Sequence, residues 1–180
     1  TTCGALTTVR PSLNKEPGSG LFLIGGPSSH FNWSDKEVAD QVAQVVAATE
    51  DEGIVWKLTT SRRTPKAFLA HLEGIQSSRF IVCPVEETGK GWVEAELARC
   101  KQTWVSEDSV SMVYEALTSG CRVGLLGVPR DERGDRVVRG LLQLTEKKWL
   151  TACKDWEKGE PLGSAPEDFD EAARCAELVV

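Results

Sequence analysis

The 180 residues contain no apolar run approaching the length of a membrane span, and no secretory leader is visible. They contain no Cys-x-x-Cys pair and no His/Cys cluster with zinc spacing. There is also no acidic metal motif, so no metal is expected. Neither the Gly-x-Gly-x-x-Gly fingerprint of dinucleotide binding nor a P-loop is present. Internal repeats and low-complexity tracts are absent. Net positive charge is lacking too: the balance is −6, which argues against a general nucleic-acid or anionic-membrane binder while leaving room for a local basic site.

What is there is an ordinary globular composition, 41% hydrophobic and 27% charged, which suits one domain with a sizeable core. The six cysteines (3, 83, 100, 121, 153 and 175) are expected to be reduced thiols of a cytosolic protein, Cys83 and Cys121 lying within or beside apolar runs. The chain starts on Thr, so it is expected to be a fragment or a processed product.

Residues 1–20 are rich in Thr, Ser, Gly and Pro and read as a linker or crossover segment into a domain spanning 21–180. Leu21–Ile24 is short, apolar and followed by Gly25-Gly26, the pattern of a buried parallel strand ending in a tight loop. Ser34 and Glu37 predict a capping box, and Val38, Val42, Val45 and Val46 then recur at helical spacing to about Glu50. Ile54–Thr59 reads as a strand, and Thr64-Pro65 as a helix start with a capping hydroxyl and proline at the first helical position. Further strands are expected at 80–82, 103–106 and 122–126, with helices near 92–101, 109–119, 134–145 and 168–178. The stretch 149–153 has no clear pattern. The alternation predicts a doubly wound, mostly parallel α/β sheet of five to six strands with helices on both faces, a Rossmann-like domain.

Ligands in such sheets bind beyond the carboxyl ends of the strands. The segments there are Gly25–His30, Thr59–Thr64, Glu107–Ser111 and Gly127–Arg130, all small, hydroxylated or charged. Gly25 and Gly26 permit close backbone approach, and with Ser28 and Ser29 they suit an oxyanion; a simple tight turn is the alternative. His30 could donate to a phosphate or act as a general base, although a lone loop histidine usually does neither, and His71 reads as structural. Ser61, Arg62 and Arg63 precede an expected helix start, where guanidiniums and free amides would meet an anion. The competing reading pairs those arginines with Glu86 or Glu107 or leaves them solvated.

Asp108–Glu115 carries the most information. Asp108 or Ser109 can cap the helix, and Ser111 and Glu115, four residues apart, share a face opposite Val110, Val113 and Leu117. Glu115 would then accept from vicinal hydroxyls such as those of a ribose, or pair with an arginine.

Together, Ile24-Gly-Gly-Pro-Ser-Ser-His30, Thr60-Ser-Arg-Arg-Thr-Pro65 and Ser106-Glu-Asp-Ser-Val-Ser-Met112 with Glu115-Ala116 resemble the elongated-mitochondria fission-factor family of plants and its bacterial relatives. The similarity is clearest over residues 20–130. The resemblance implies the C-terminal half of a GT-B architecture, binding a nucleotide-sugar donor. Gly25, Gly26, Ser109, Ser111 and Glu115 would be donor contacts, with Arg62 and Arg63 near the diphosphate. No cofactor is required, and the implied partners are the nucleotide sugar and an N-terminal domain of the same protein. Whether that assembly is a glycosyltransferase is left open. Two alternatives follow from the same resemblance: a non-catalytic interaction module, as plant members recruit a dynamin-related protein, and an NAD-dependent nucleoside-diphosphate-sugar epimerase, which the missing fingerprint tells against. The expected location is the cytoplasm, with peripheral membrane attachment open.

Overall fold

A computed structural model describes residues 8–130, 136–167 and 169. The helix expected over 168–178 lies outside the described residues but for Phe169. Six strands, β1 (Glu16–Leu23), β2 (Val55–Thr59), β3 (Phe80–Cys83), β4 (Cys100–Ser106), β5 (Arg122–Leu126) and β6 (Leu150–Ala152), run parallel in the order β3-β2-β1-β4-β5-β6. A two-residue strand, β7 (Gly163–Ser164), adds antiparallel to β5. The helices are α1 (Asp35–Ala48), α2 (Trp92–Arg99), α3 (Val110–Thr118), α4 (Arg136–Glu146) and the single turn α5 (Cys153–Trp156). The fold is the doubly wound α/β sheet that the alternation predicts.

The strand order runs outward from β1 to β3 on one side and from β4 to β6 on the other. The crossovers after β1 and β4 therefore leave in opposite directions, and the topological switch point lies between these two parallel strands. β1 is buried on both faces from Ser19 onward, which explains its unbroken apolar run. It begins at Glu16, ahead of that run, because Glu16 still pairs with Cys100 of β4. β4 is likewise longer than its apolar core, following α2 without a loop.

One face of the sheet carries the large aromatics. Trp56 lies across β1 at Gly20, where an added Cβ would come within 2.3 Å of the indole. Trp104 lies in the same way over Gly124 of β5, where the distance would be 2.4 Å. Phe22 packs between them, 4.7 Å from the Trp56 ring. Above this layer, Trp56 Nε1 donates to Thr49 Oγ1 at the end of α1 (2.9 Å), and Trp156 of α5 meets Trp104 edge-on at 5.3 Å. Covering the opposite face is α2, tied by Lys57 Nζ to Glu96 Oε1 at 2.6 Å.

The Ser34 hydroxyl caps α1, accepting from the Glu37 amide at 3.3 Å. Ser34→Ala is expected to lower stability by about 1 kcal/mol, readable as a shift in the urea midpoint at constant m-value. The element after β2 differs from expectation. Residues Lys66–Leu72 form a 3₁₀ helix, and Thr64 makes no capping bond to it. Its hydroxyl instead reaches Ile24 O and Gly25 O while accepting from Ser61 N. Tertiary partners across the edge of the sheet outcompete the local cap, so Arg62 and Arg63 do not stand at an α-helix start.

Candidate functional site

The loops after β1, β2, β4 and β5 do meet at the carboxyl edge, and their first partners are one another. Gly25 N donates to Ser106 Oγ at 2.8 Å, and Gly26 N to Asp108 Oδ2 at 2.8 Å. Arg63 Nη2 reaches the same Oδ2 at 3.1 Å, while its Nη1 donates to Gly26 O (2.8 Å) and Pro27 O (3.0 Å). Ser61 Oγ donates to Gly25 O at 3.1 Å. Thus Gly25, Gly26, Ser61, Arg63 and Asp108 form one network at the switch point.

The same contacts account for the glycine pair. A Cβ on Gly25 would lie 2.1 Å from Asp108 Oδ2, and one on Gly26 would lie 2.3 Å from Arg63 O. Close approach is required, as the sequence suggests, and the approaching groups are the protein's own carboxylate and backbone. Asp108 therefore does not cap α3. Ser109 occupies the cap position without a side-chain hydrogen bond to the helix.

Three polar atoms of this region are buried without a hydrogen-bond partner, Asp108 Oδ1, Ser28 Oγ and Thr59 Oγ1. The Asp108 side chain has no exposed surface. Unmet hydrogen-bonding capacity in a buried carboxylate is costly, and a donor brought by a ligand or water would relieve it. Ser29 and His30 are exposed on the far side of the loop, which pairs through Phe31 with Arg130.

Glu107, at the head of the β4 loop, takes an arginine, but not the pair anticipated. Its Oε1 accepts from Val128 N at 2.8 Å, and Oε2 is ion-paired to Arg130. Gln41 of α1 completes the β5 loop, accepting from Gly127 N (2.7 Å) and donating to Gly127 O (2.8 Å). Neither role was read from the sequence, since Gln41 lies 86 positions from its partner.

Beside the network opens a groove of about 690 Å³ between α3 and the loop joining β3 to α2. Arg62, Glu86, Lys90 and Glu94 bring charge to it, Val85, Val93 and Met112 give it apolar walls, and Glu115 sits among them. Burial holds the Glu115 carboxyl above the ordinary glutamate range, and Glu94 pushes in the same direction. Glu115 is thus an acceptor short of donors inside a cavity. Ser111, its predicted companion, is exposed and outside the groove lining, whereas Met112 belongs to it. The structure divides the arginine pair: Arg63 is committed to the glycine loop and Arg62 faces the groove. No cluster of three or more potential metal-ligating side chains occurs among the described residues.

No helix among the described residues is long and apolar enough to cross a membrane. Comparison with solved structures finds likeness in fold. The MAR1 ribonuclease from Caenorhabditis elegans is 14% identical, with a TM-score of 0.51 over 95% of this chain and 92% of that one. AnUbiX (PadA1), in complex with FMN and dimethylallyl pyrophosphate, is 12% identical, with a TM-score of 0.45 over 76% of this chain and 77% of that one. At such identities the likeness concerns the α/β fold alone. No curated protein matches the chain. The family described as mitochondrial fission ELM1 matches across residues 1–180, the full length given, and the chain belongs to that family.

Proposed function

We propose that this domain binds a nucleoside diphosphate sugar as the donor half of a GT-B-like protein, with a facing domain of the same protein supplying the acceptor side. The ribose would lie on Glu115 and the diphosphate toward Arg62 and the start of α3. The observation that carries this reading is Glu115, half-buried in a groove that is also lined by Arg62 and Lys90. A carboxylate raised by desolvation gains most from two neighbouring hydroxyl donors, which is what a ribose offers. Apolar Val85, Val93 and Met112 supply a surface against which a flat base can pack. Departure of a nucleoside diphosphate would be favoured by the same cations and the α3 N-terminus, without a metal.

The linkage gives a sign. Hydroxyl donors stabilise ionised Glu115, so binding lowers its pKa and expels a proton. Affinity therefore rises as pH climbs through the raised value of free Glu115 and levels off above it. Calorimetric titration with UDP, GDP, ADP and their sugars across this range tests it. One ligand class should bind, and Glu115→Gln should weaken it about tenfold, roughly 1.4 kcal/mol, and abolish that pH dependence. Absence of binding by every nucleotide, or unchanged affinity in the variant, would overturn the reading and favour an interaction module instead.

A further inference from the structure

At the opposite, amino-terminal edge of the sheet lies a second cluster, independent of the nucleotide site. Cys100 opens β4 and Cys121 immediately precedes β5; both are fully buried, with their sulfurs 3.4 Å apart. Gln102 stands opposite Arg122 in the parallel pairing. Extending that register sets the two cysteines one position out of alignment on adjacent strands, a Cα separation of about 6 Å, inside the range a disulfide spans. The pair is reduced in this structure, and only a small sulfur movement separates it from a bond.

The surroundings are polar and cationic. Lys15 Nζ lies 3.6 Å from Cys121 Sγ while donating to Leu97 O at 2.6 Å. Ser119 Oγ lies 3.0 Å from the same sulfur, and Thr103 Oγ1 lies 3.2 Å from Cys100 Sγ. Besides tying its segment to Leu97 O, an ammonium beside a buried thiol stabilises a thiolate. The Cys100 hydrogen bond, aided by Lys15, holds Cys121 well below the ordinary thiol range against the opposing effect of burial, and Cys100 is raised in turn. The other buried thiol described, Cys153, is pushed the opposite way, to about 12, by burial and by Glu157. The cover over the pair is thin. It is the segment entering β1, held by Ser12 N on Ser119 O (3.2 Å) and by Lys15, with Leu13 90% exposed. These contacts of residues 12–15 lie outside the β4–β5 pairing.

We propose that Cys100 and Cys121 form a peroxide-oxidisable dithiol, in which Lys15 supports a Cys121 thiolate and Cys100 resolves it to an intramolecular disulfide. The thiolate electron pair attacks one peroxide oxygen and the O–O bond breaks. This gives a sulfenic acid and a hydroxide that takes up the proton Cys121 had released, forming the first water. The Cys100 sulfur then displaces the sulfenic hydroxyl, which leaves with the Cys100 proton as the second water. Two thiols are oxidised by two electrons and one peroxide is reduced to two waters.

The test treats the reduced protein with hydrogen peroxide, quenches, unfolds and alkylates it, and reads disulfide-linked peptides by mass spectrometry. A reductant-reversible Cys100–Cys121 linkage is expected. Cys100→Ser should stop the reaction at a trappable sulfenic acid on Cys121. Lys15→Met also frees the cover from Leu97 O, which by itself would speed oxidation, so the slowing of about tenfold expected near neutral pH reports the fall in thiolate fraction. The proposal is overturned if both cysteines still alkylate after peroxide treatment. It is also overturned if other cysteines form the linkage, or if Lys15→Met reacts as fast as the parent protein. Unchanged circular dichroism of Lys15→Met before oxidation ensures that its rate reports chemistry and not unfolding.

Discussion

Gly25→Ala is expected to destabilise the fold by about 3 kcal/mol, at the severe end of overpacking substitutions. The added methyl would sit 2.1 Å from Asp108 Oδ2 and within 2.9 Å of the remaining carboxyl atoms. That carboxylate cannot swing aside cheaply. It is fully enclosed, accepts from Gly26 N at 2.8 Å, and is paired with Arg63 at 3.1 Å. Moving β1's loop instead would stretch the Gly25 N bond to Ser106 Oγ. If the carboxylate is the obstacle, the cost must depend on it. Asp108→Ala is destabilising alone, yet in its background Gly25→Ala should cost about 1–2 kcal/mol less, a coupling of the size found for residues in direct contact. Urea denaturation of the four proteins measures it. Additive effects would show that the glycine is needed for a reason other than Asp108.

The same network shows which features the sequence could carry. Those set by near neighbours were legible: the apolar strand at Leu21–Ile24 and the Ser34 cap. The parallel, doubly wound class followed from alternation, while the order β3-β2-β1-β4-β5-β6 came only with the structure. The convergence of four polar loops on one edge followed from chain direction. What was hidden depends on register and on distant partners. Gly20 and Gly124 look like weak points in strands until the pairing sets Trp56 and Trp104 beside them. Thr64-Pro65 has the local grammar of a helix start, but its hydroxyl has carbonyl partners on β1's loop forty residues earlier. Spacing placed Ser111 and Glu115 on one helical face, and only the loop joining β3 to α2 decides that Glu115 and Met112 line the groove. Nor does spacing show that Asp108 meets Arg63, or that Cys100 meets Cys121.

Asp108→Asn is expected to act on stability and on anion binding in opposite directions. In the parent protein one buried carboxylate holds the Gly26 amide and the Arg63 guanidinium, the two groups on the glycine loop best suited to an oxyanion. It stands in their way both by occupation and by charge. The asparagine retains the shape and one acceptor, so the loop should persist, but the acceptor in both bonds loses its charge. A loss of about 2 kcal/mol in denaturation follows, since bonds to charged groups contribute roughly 1.5–3 kcal/mol and neutral ones about 1. Arg63, no longer neutralised, would then present net positive charge beside free space at the switch point. Inorganic pyrophosphate should bind the variant about tenfold more tightly than the parent, with a dependence on ionic strength that Arg63→Ala removes. The pair of titrations also locates the ligand. If Asp108→Asn tightens pyrophosphate and Glu115→Gln weakens only ligands carrying a ribose, the diphosphate spans the glycine loop and the sugar hydroxyls lie in the groove. If Asp108→Asn leaves pyrophosphate affinity unchanged, the phosphates sit wholly on the Arg62 and Lys90 side, and the glycine loop serves only to seat Asp108.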